Sequence, residues 1–211
     1  MNNHNHNFDV DIQLPSSNQK VKINKDFIEV NNKKIMCNNI EAIKYGVSMV
    51  GSKKKPSSKN YIIEIKSNNG EQLSINFSSN TVQPILAEDH TYYYIMAGLW
   101  QYAKKQLVNK LVETLNQAQS FKVANVEVSN TGFTMPYKNW FWGKTKLGNI
   151  TWADSDYYLE KGFLHLDSKT NGKMKAKLSI HNDWNAVVLN TLLHYLWQDN
   201  RKEKLAKGEV I

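Results

Sequence analysis

Five residues in succession, His181, Asn182, Asp183, Trp184 and Asn185, carry side chains that ligate metals, move protons or hold ligands. The stretch runs on as "AVVLNTLLHYLW", and the continuation decides its reading. Val188, Leu192 and Tyr195 fall on one helical face, Ala186, Leu189, Leu193 and Leu196 on an adjoining stripe, and Asn190, His194 and Gln198 on a narrow polar edge. The expected element is a helix running from Trp184 and lying on a sheet. Asp183 or Asn182 would be its N-cap, accepting a hydrogen bond from a free backbone N–H. No second reactive group stands at a useful spacing from Asn185, so the five residues read as the start of a buried helix.

The remaining chemistry-bearing residues are scattered. Asp154 and Asp156 form a carboxylate pair of the kind that binds a metal or does acid–base work. Alternation in "WADSDYYLE" places both on the solvent face of a strand instead. The six histidines show no ligand spacing, and His4 and His6 lie in a polar N-terminal tail. Cys37 stands alone, so neither an internal disulfide nor a cysteine zinc site can be built. No phosphate-binding loop, nucleophile elbow, H-E-x-x-H or dinucleotide fingerprint is present. The expectation is a chain without catalysis, cofactor or metal. Its alternative is an enzyme with a dispersed site, which a pocket gathering Asp154, Asp156 and a histidine would reveal.

Two stretches look like binding surfaces. "GSKKKPSSKN" (51–60) holds Lys53, Lys54, Lys55 and Lys59 and reads as a basic loop between strands, suited to an anion or an acidic membrane. "YKNWFWGKTK" (137–146) puts Trp140 and Trp142 on one side of a strand and Phe141 on the other, flanked by Lys138, Lys144 and Lys146. Aromatic anchors of this kind dominate binding surfaces, although both stretches also have plain structural readings, as a solvated loop and as internal packing. The net charge is +8, yet Arg201 is the single arginine among 27 basic residues. Nucleic-acid readers lean on arginine's planar fork, so nucleic acid is not the expected partner. Residues 20–119 carry 14 lysines against 8 acids and residues 120–200 carry 9 against 7, so the positive field belongs mainly to the first half.

These side chains must be positioned by elements, and the elements repeat. "VKINKDFIEV" (21–30) matches "VEVSNTGFTM" (126–135), pairing Ile23 with Val128 and Ile28 with Phe133. "IKYG" (43–46) matches "ITWA" (150–153), which pairs Ile43 with Ile150. "IEIKSNNGEQLSINF" (63–77) matches "LHLDSKTNGKMKAKLSI" (164–180), each a hairpin with Asn-Gly in its turn. A helical segment follows each copy. In the first it is 91–117, with Met96, Leu99, Ala103, Leu107 and Leu111 at helical spacing and Gly98 as a weak point. At about 1.5 Å per residue it approaches ~40 Å, longer than one small sheet needs. Its half from Lys104 to Asn116 is therefore expected to pack against the second copy or a partner.

With 41% hydrophobic residues the chain can build a sizeable core, and no stretch nears the ~20 apolar residues that span a bilayer. The fold class expected is α+β, mainly β. The divisions are a polar tail over 1–19, domains over 20–117 and 118–200, and a charged tail over 201–211. Short antiparallel strands closed by one C-terminal amphipathic helix resemble the pleckstrin-homology-like family, here in a tandem of bacterial type. The resemblance is one of layout, and it implies two curved sheets or open barrels, each capped by a helix. It implies a binding or scaffold module rather than an enzyme, here expected to be cytoplasmic with an unidentified protein partner; the alternative, carried by Lys53–Lys55 and the Trp140–Trp142 edge, is peripheral attachment to an anionic membrane. The family's lipid-headgroup members carry several bases beside the first hairpin loop. Here those loops, "NKD" (24–26) and "SNT" (129–131), hold one lysine between them, so no headgroup residue is carried over.

Overall fold

The computed structural model describes residues 8–52, 54–83, 85–138 and 144–211. The fold is α+β and mainly β, with four antiparallel sheets in two compact units, Met1–Leu107 and Val108–Ile211. None of the described helices is long and apolar enough to cross a membrane.

In unit 1 the strands β1 (Val10–Gln13), β2 (Lys20–Ile23), β3 (Phe27–Val30) and β4 (Lys33–Met36) form one meander. Strands β5 (Ile40–Ser52), β6 (Lys55–Ser67) and β7 (Gln72–Ser78) form a second. Alternation builds the core. Val10, Ile23, Ile28 and Ile35 stand in one cross-strand row of the first sheet, and Ile43, Ile65 and Leu73 in one row of the second. All seven are buried. A helix follows, α1 (Ala87–Leu99), which passes through a π-turn (Trp100–Lys104) into α2 (Lys105–Asn116).

Unit 2 repeats the plan. Strands β8 (Phe121–Val123), β9 (Val126–Ser129), β10 (Gly132–Tyr137) and β11 (Lys146–Thr151) make the first meander. Strands β12 (Ser155–Glu160), β13 (Phe163–Ser168) and β14 (Lys175–Ser179) make the second, followed by α3 (Ala186–Trp197) and the short α4 (Arg201–Ala206). The first repeat match holds in register: Ile23 pairs with Ile28 across β2 and β3, as Val128 pairs with Phe133 across β9 and β10. The match of Ile43 with Ile150 does not. Ile150 pairs with Phe133, and the residue paired with Ile28 is Ile35. Ile43 lies in the second sheet opposite Ile65, where unit 2 has Tyr157 opposite Leu166.

Both expected tails are partly structured. Val10–Gln13 is a strand, with Val10 and Leu14 buried, because Val10 completes the row that Ile23 and Ile28 begin. Tyr94 Oη donates to the Asp9 carbonyl at 2.6 Å and Tyr102 Oη to the Asp9 carboxylate at 2.8 Å, holding β1 to the helical segment. At the other end, Arg201–Ala206 is helical, and Leu205 is buried in the unit 2 core. That core also takes Leu115, with Leu111 and Val112 packed against it, so the second half of α2 belongs to unit 2.

Gly98 is a point of close approach. A Cβ there would meet Val10 Cγ2 at 2.9 Å and the Phe8 carbonyl oxygen at 3.0 Å. Alanine improves helix propensity by about 1 kcal/mol, but overpacking costs about 1–3 kcal/mol. Gly98→Ala should therefore lower the urea midpoint. A raised midpoint would mean that β1 does not lie against α1.

Candidate binding surface

The lysine-rich stretch is not a loop. Strands β5 and β6 run through it as one long hairpin, paired from Ile40↔Ser67 to Ser52↔Lys55, with register shifts near each end. Pairing with neighbouring strands outweighs the low strand propensity of Ser, Lys and Asn. Lys54 and Lys55 are exposed at its tip, and Lys53 lies outside the described residues. The corresponding hairpin of unit 2 turns at Lys161 and Gly162 and its strands pair only from Ser155↔Ser168 to Glu160↔Phe163. The extension beyond Val47 and Tyr61 is thus particular to unit 1.

Along β5 the core-facing positions Ile43, Tyr45, Val47 and Met49 grade from buried to open. Met49 is 61% exposed, and Val47 and Val50 are exposed as well. Among the described residues β5 pairs with β6 alone. Exposed apolar side chains on a strand at a sheet edge are a template for another strand.

Lys59, expected among the loop bases, is instead 8% exposed. Its Nζ donates to Asp89 Oδ2 at 2.7 Å, and Tyr61 Oη donates to Asp89 Oδ1 at 2.7 Å. Asp89 sits in the first turn of α1 and also accepts the Leu86 amide at 2.9 Å, capping the helix start. Burial alone would raise the Asp89 pKa, but the Leu86 amide, Lys59 and Tyr61 together bring it down to about 2. Burial and Asp89 push the Tyr61 phenol up, so it stays a neutral donor. Lys59, Asp89, His90, Tyr93 and Ile85 line a cleft of about 270 Å³. Its floor is a self-neutralised ion pair, which clamps β6 to α1. The signal in the sequence was the acidic pair Glu88 and Asp89, which marks a helix start before the expected Thr91.

A second polar pair lies farther along the helix. Lys104, 9% exposed, donates to Tyr45 Oη at 2.6 Å. Burial lowers its pKa to about 8 and raises that of Tyr45 to about 12. Helical spacing could not reveal this contact, because the π-turn shifts the phase at the residue concerned.

The other candidates separate. Trp140 and Trp142 lie outside the described residues, while Lys138, Lys144 and Lys146 beside them are exposed. Asp154 is in a turn rather than a strand: it accepts the Ser168 hydroxyl at 2.6 Å and the Thr170 amide at 2.9 Å, and the Ser168 hydroxyl leads in lowering its pKa. Asp156 is exposed on β12, opposite Asp167. Among the described residues no three His, Cys, Asp or Glu are grouped to hold a metal ion. Asp183 does not cap α3. Its carboxylate accepts the Ser179 amide at 2.6 Å, and the helix starts at Ala186, after Asn185 in a left-handed conformation. Comparison with known protein families, with curated proteins and with solved structures returned no match.

Proposed function

We propose that the chain is a non-catalytic, cytoplasmic protein-interaction module of two pleckstrin-homology-like units, in which the β5–β6 hairpin of unit 1 takes an extended segment of a partner protein. The layout supports the family reading: each unit has a four-stranded meander, a three-stranded meander and then a helix. The observation that carries the binding reading is the hairpin extension that unit 1 has and unit 2 lacks, with Val47, Met49 and Val50 exposed on it. A segment laid along the open part of β5, from Tyr45 on, would hydrogen-bond through its main chain, and its alternate side chains would meet Val47 and Met49.

The test is selection of random displayed peptides against the full chain. Peptides selected on the wild type should bind at least tenfold more weakly to Met49→Lys and Val47→Lys, which alter exposed positions and spare the core. Selected peptides that bind these variants as well as the wild type would remove β5 from the binding surface.

A second reading, attachment to an anionic membrane, is favoured by Lys54 and Lys55 lying at the hairpin tip near exposed Met49 and Val50. Its steering would be screened over ~8 Å at physiological salt. We expect only weak, nonspecific sedimentation with acidic liposomes. Strong salt-dependent sedimentation, lost when Lys53, Lys54 and Lys55 become Gln, would place the hairpin on a membrane instead.

A further inference from the structure

We propose that Lys104 is the receptor for a carboxylate on the docked segment, an Asp or Glu side chain lying beside Tyr45. The inference rests on β5 being the docking strand.

Lys104 is a buried ammonium that makes no ion pair among the described residues. It has three hydrogens to donate, and among the described residues its hydrogen-bond partner is the neutral phenol of Tyr45. The rings of Tyr45 and Trp100 stand 5.3 Å and 5.5 Å from Nζ. Their electron-rich faces offset only part of what burial costs a charge. The π-turn is what brings the side chain inward: one residue added to the helical turn places Ala103 and Lys104 side by side on the buried face. Such turns collect at functional sites. A lysine with no other role would be more stable here as methionine, so a group that supplies the missing negative charge gives the residue a purpose.

The position fits the docking strand. Tyr45 lies on β5, on the same face as exposed Val47 and Met49, so the Tyr45–Lys104 contact marks the seam between the edge strand and the helix. Trp100 is exposed beside it. Strand residues on one face recur every ~6.8 Å. A segment whose apolar side chain meets Val47 therefore brings its next same-face residue, two positions along, to Tyr45 and within reach of Lys104. That residue is the acid.

Binding is then linked to one proton. The titratable groups facing Lys104 from the packed elements are Tyr45 on β5 and, behind Tyr45, Tyr92 on α1; Cys37 is on the turn packed against the π-turn. Burial raises all three, Tyr45 to about 12 and Cys37 to about 11, so they stay neutral between about pH 7 and 9. The Lys104 pKa is lowered to about 8, so the free protein loses this ammonium as pH rises through that value. A bound carboxylate favours the ammonium, so docking above pH 8 takes one proton from solvent. Affinity should fall about twofold from pH 7 to 8 and about fivefold from pH 8 to 9, approaching tenfold per unit only well above 8.

The experiment uses the full chain as bait for random displayed peptides, in parallel with Lys104→Met, whose apolar chain of similar length keeps the fold. The best wild-type peptide is then titrated at about pH 7, 8 and 9, with proton uptake read by calorimetry in two buffers. We expect wild-type binders to share one Asp or Glu two positions from an apolar residue. We also expect affinity to fall about tenfold in all from pH 7 to 9, with proton uptake approaching one at pH 9, and for Lys104→Met at least tenfold weaker binding at pH 7 with a flat pH profile. Binders that are lost in Met49→Lys but bind Lys104→Met normally, with no shared acid and no pH dependence, would overturn this inference and leave the docking strand standing. Failure to select any binder, or binders indifferent to Met49→Lys, would overturn both.

Discussion

Asp89→Ala should destabilise unit 1 by about 3–5 kcal/mol, the range for breaking a buried ion pair by removing one partner. One carboxylate satisfies three donors at once: Lys59 Nζ at 2.7 Å, Tyr61 Oη at 2.7 Å and the Leu86 amide at 2.9 Å. Without it a largely buried ammonium has no counter-charge, a phenol and a helix-start amide lose their acceptor, and α1 loses its clamp to β6. Contrast the Lys34–Glu29 pair, where the lysine side chain is 44% exposed; such surface pairs contribute about 0–1 kcal/mol. The loss should appear as faster amide exchange in β6, β7 and α1, a better probe than tryptophan emission because Trp100 is the only tryptophan of unit 1. The pH dependence has a definite sign. The folded Asp89 pKa, about 2, lies below the unfolded value of about 3.9, so its contribution is fully present above pH ~4 and is lost as pH falls through 2. A variant within 1 kcal/mol of wild type, with unchanged acid sensitivity, would show that the clamp carries no weight.

Local signals were legible in the sequence where a short chemical pattern has one structural answer. Asn69-Gly70 made a hairpin turn with Gly70 in positive φ, and the alternation around Ile23 and Ile28 gave both the strands and their register. Signals that depend on distant partners were hidden. The match of Ile43 with Ile150 rested on two short segments of similar type, and β4, which holds the real counterpart Ile35, is short and lies between polar residues in "NNKKIMCNN". The Lys53–Lys59 stretch is polar and contains Pro56, yet most of it is strand because β5 is long enough to pair with it. Val10 looked like part of a polar tail, since one buried side chain among exposed neighbours has no periodicity to betray it.

The candidate site was legible only in part for the same reason. Lys59 was singled out for its charge, but charge cannot tell a solvated base from one paired with an acid 30 residues on. Asp89 was overlooked because the helix was begun at Thr91. Lys104 was assigned to the outgoing half of a regular helix. A π-turn leaves no mark in composition, and it moves every later residue by one position around the axis.

The helix at the other end is the case where periodicity alone was sufficient, and it supports the second large effect. Leu192→Ala should cost unit 2 about 2–5 kcal/mol, the usual range for a buried leucine, combining lost transfer energy with a cavity. Leu192 is fully buried, in one cluster with Leu164 and Leu166 from β13, Leu178 from β14, Trp152 from the turn after β11, and Leu189, Leu193 and Leu196 from its own helix. A fully buried side chain inside a core of this size leaves little room for collapse, which puts the expected value in the upper half of the range. His194→Ala is the control: two positions along α3 the imidazole is exposed and its contact is with Gln198 at 3.2 Å, so its removal should stay within about 0.5 kcal/mol of wild type. The readout is tryptophan emission during urea unfolding. Trp152 and Trp197 stand 6.1 Å apart beside this core, so both report its opening. Similar small shifts for both substitutions would mean that α3 presents a different face to the sheets. A large shift for His194→Ala alone would mean that the polar edge, and not the leucine stripe, is what holds the helix in place.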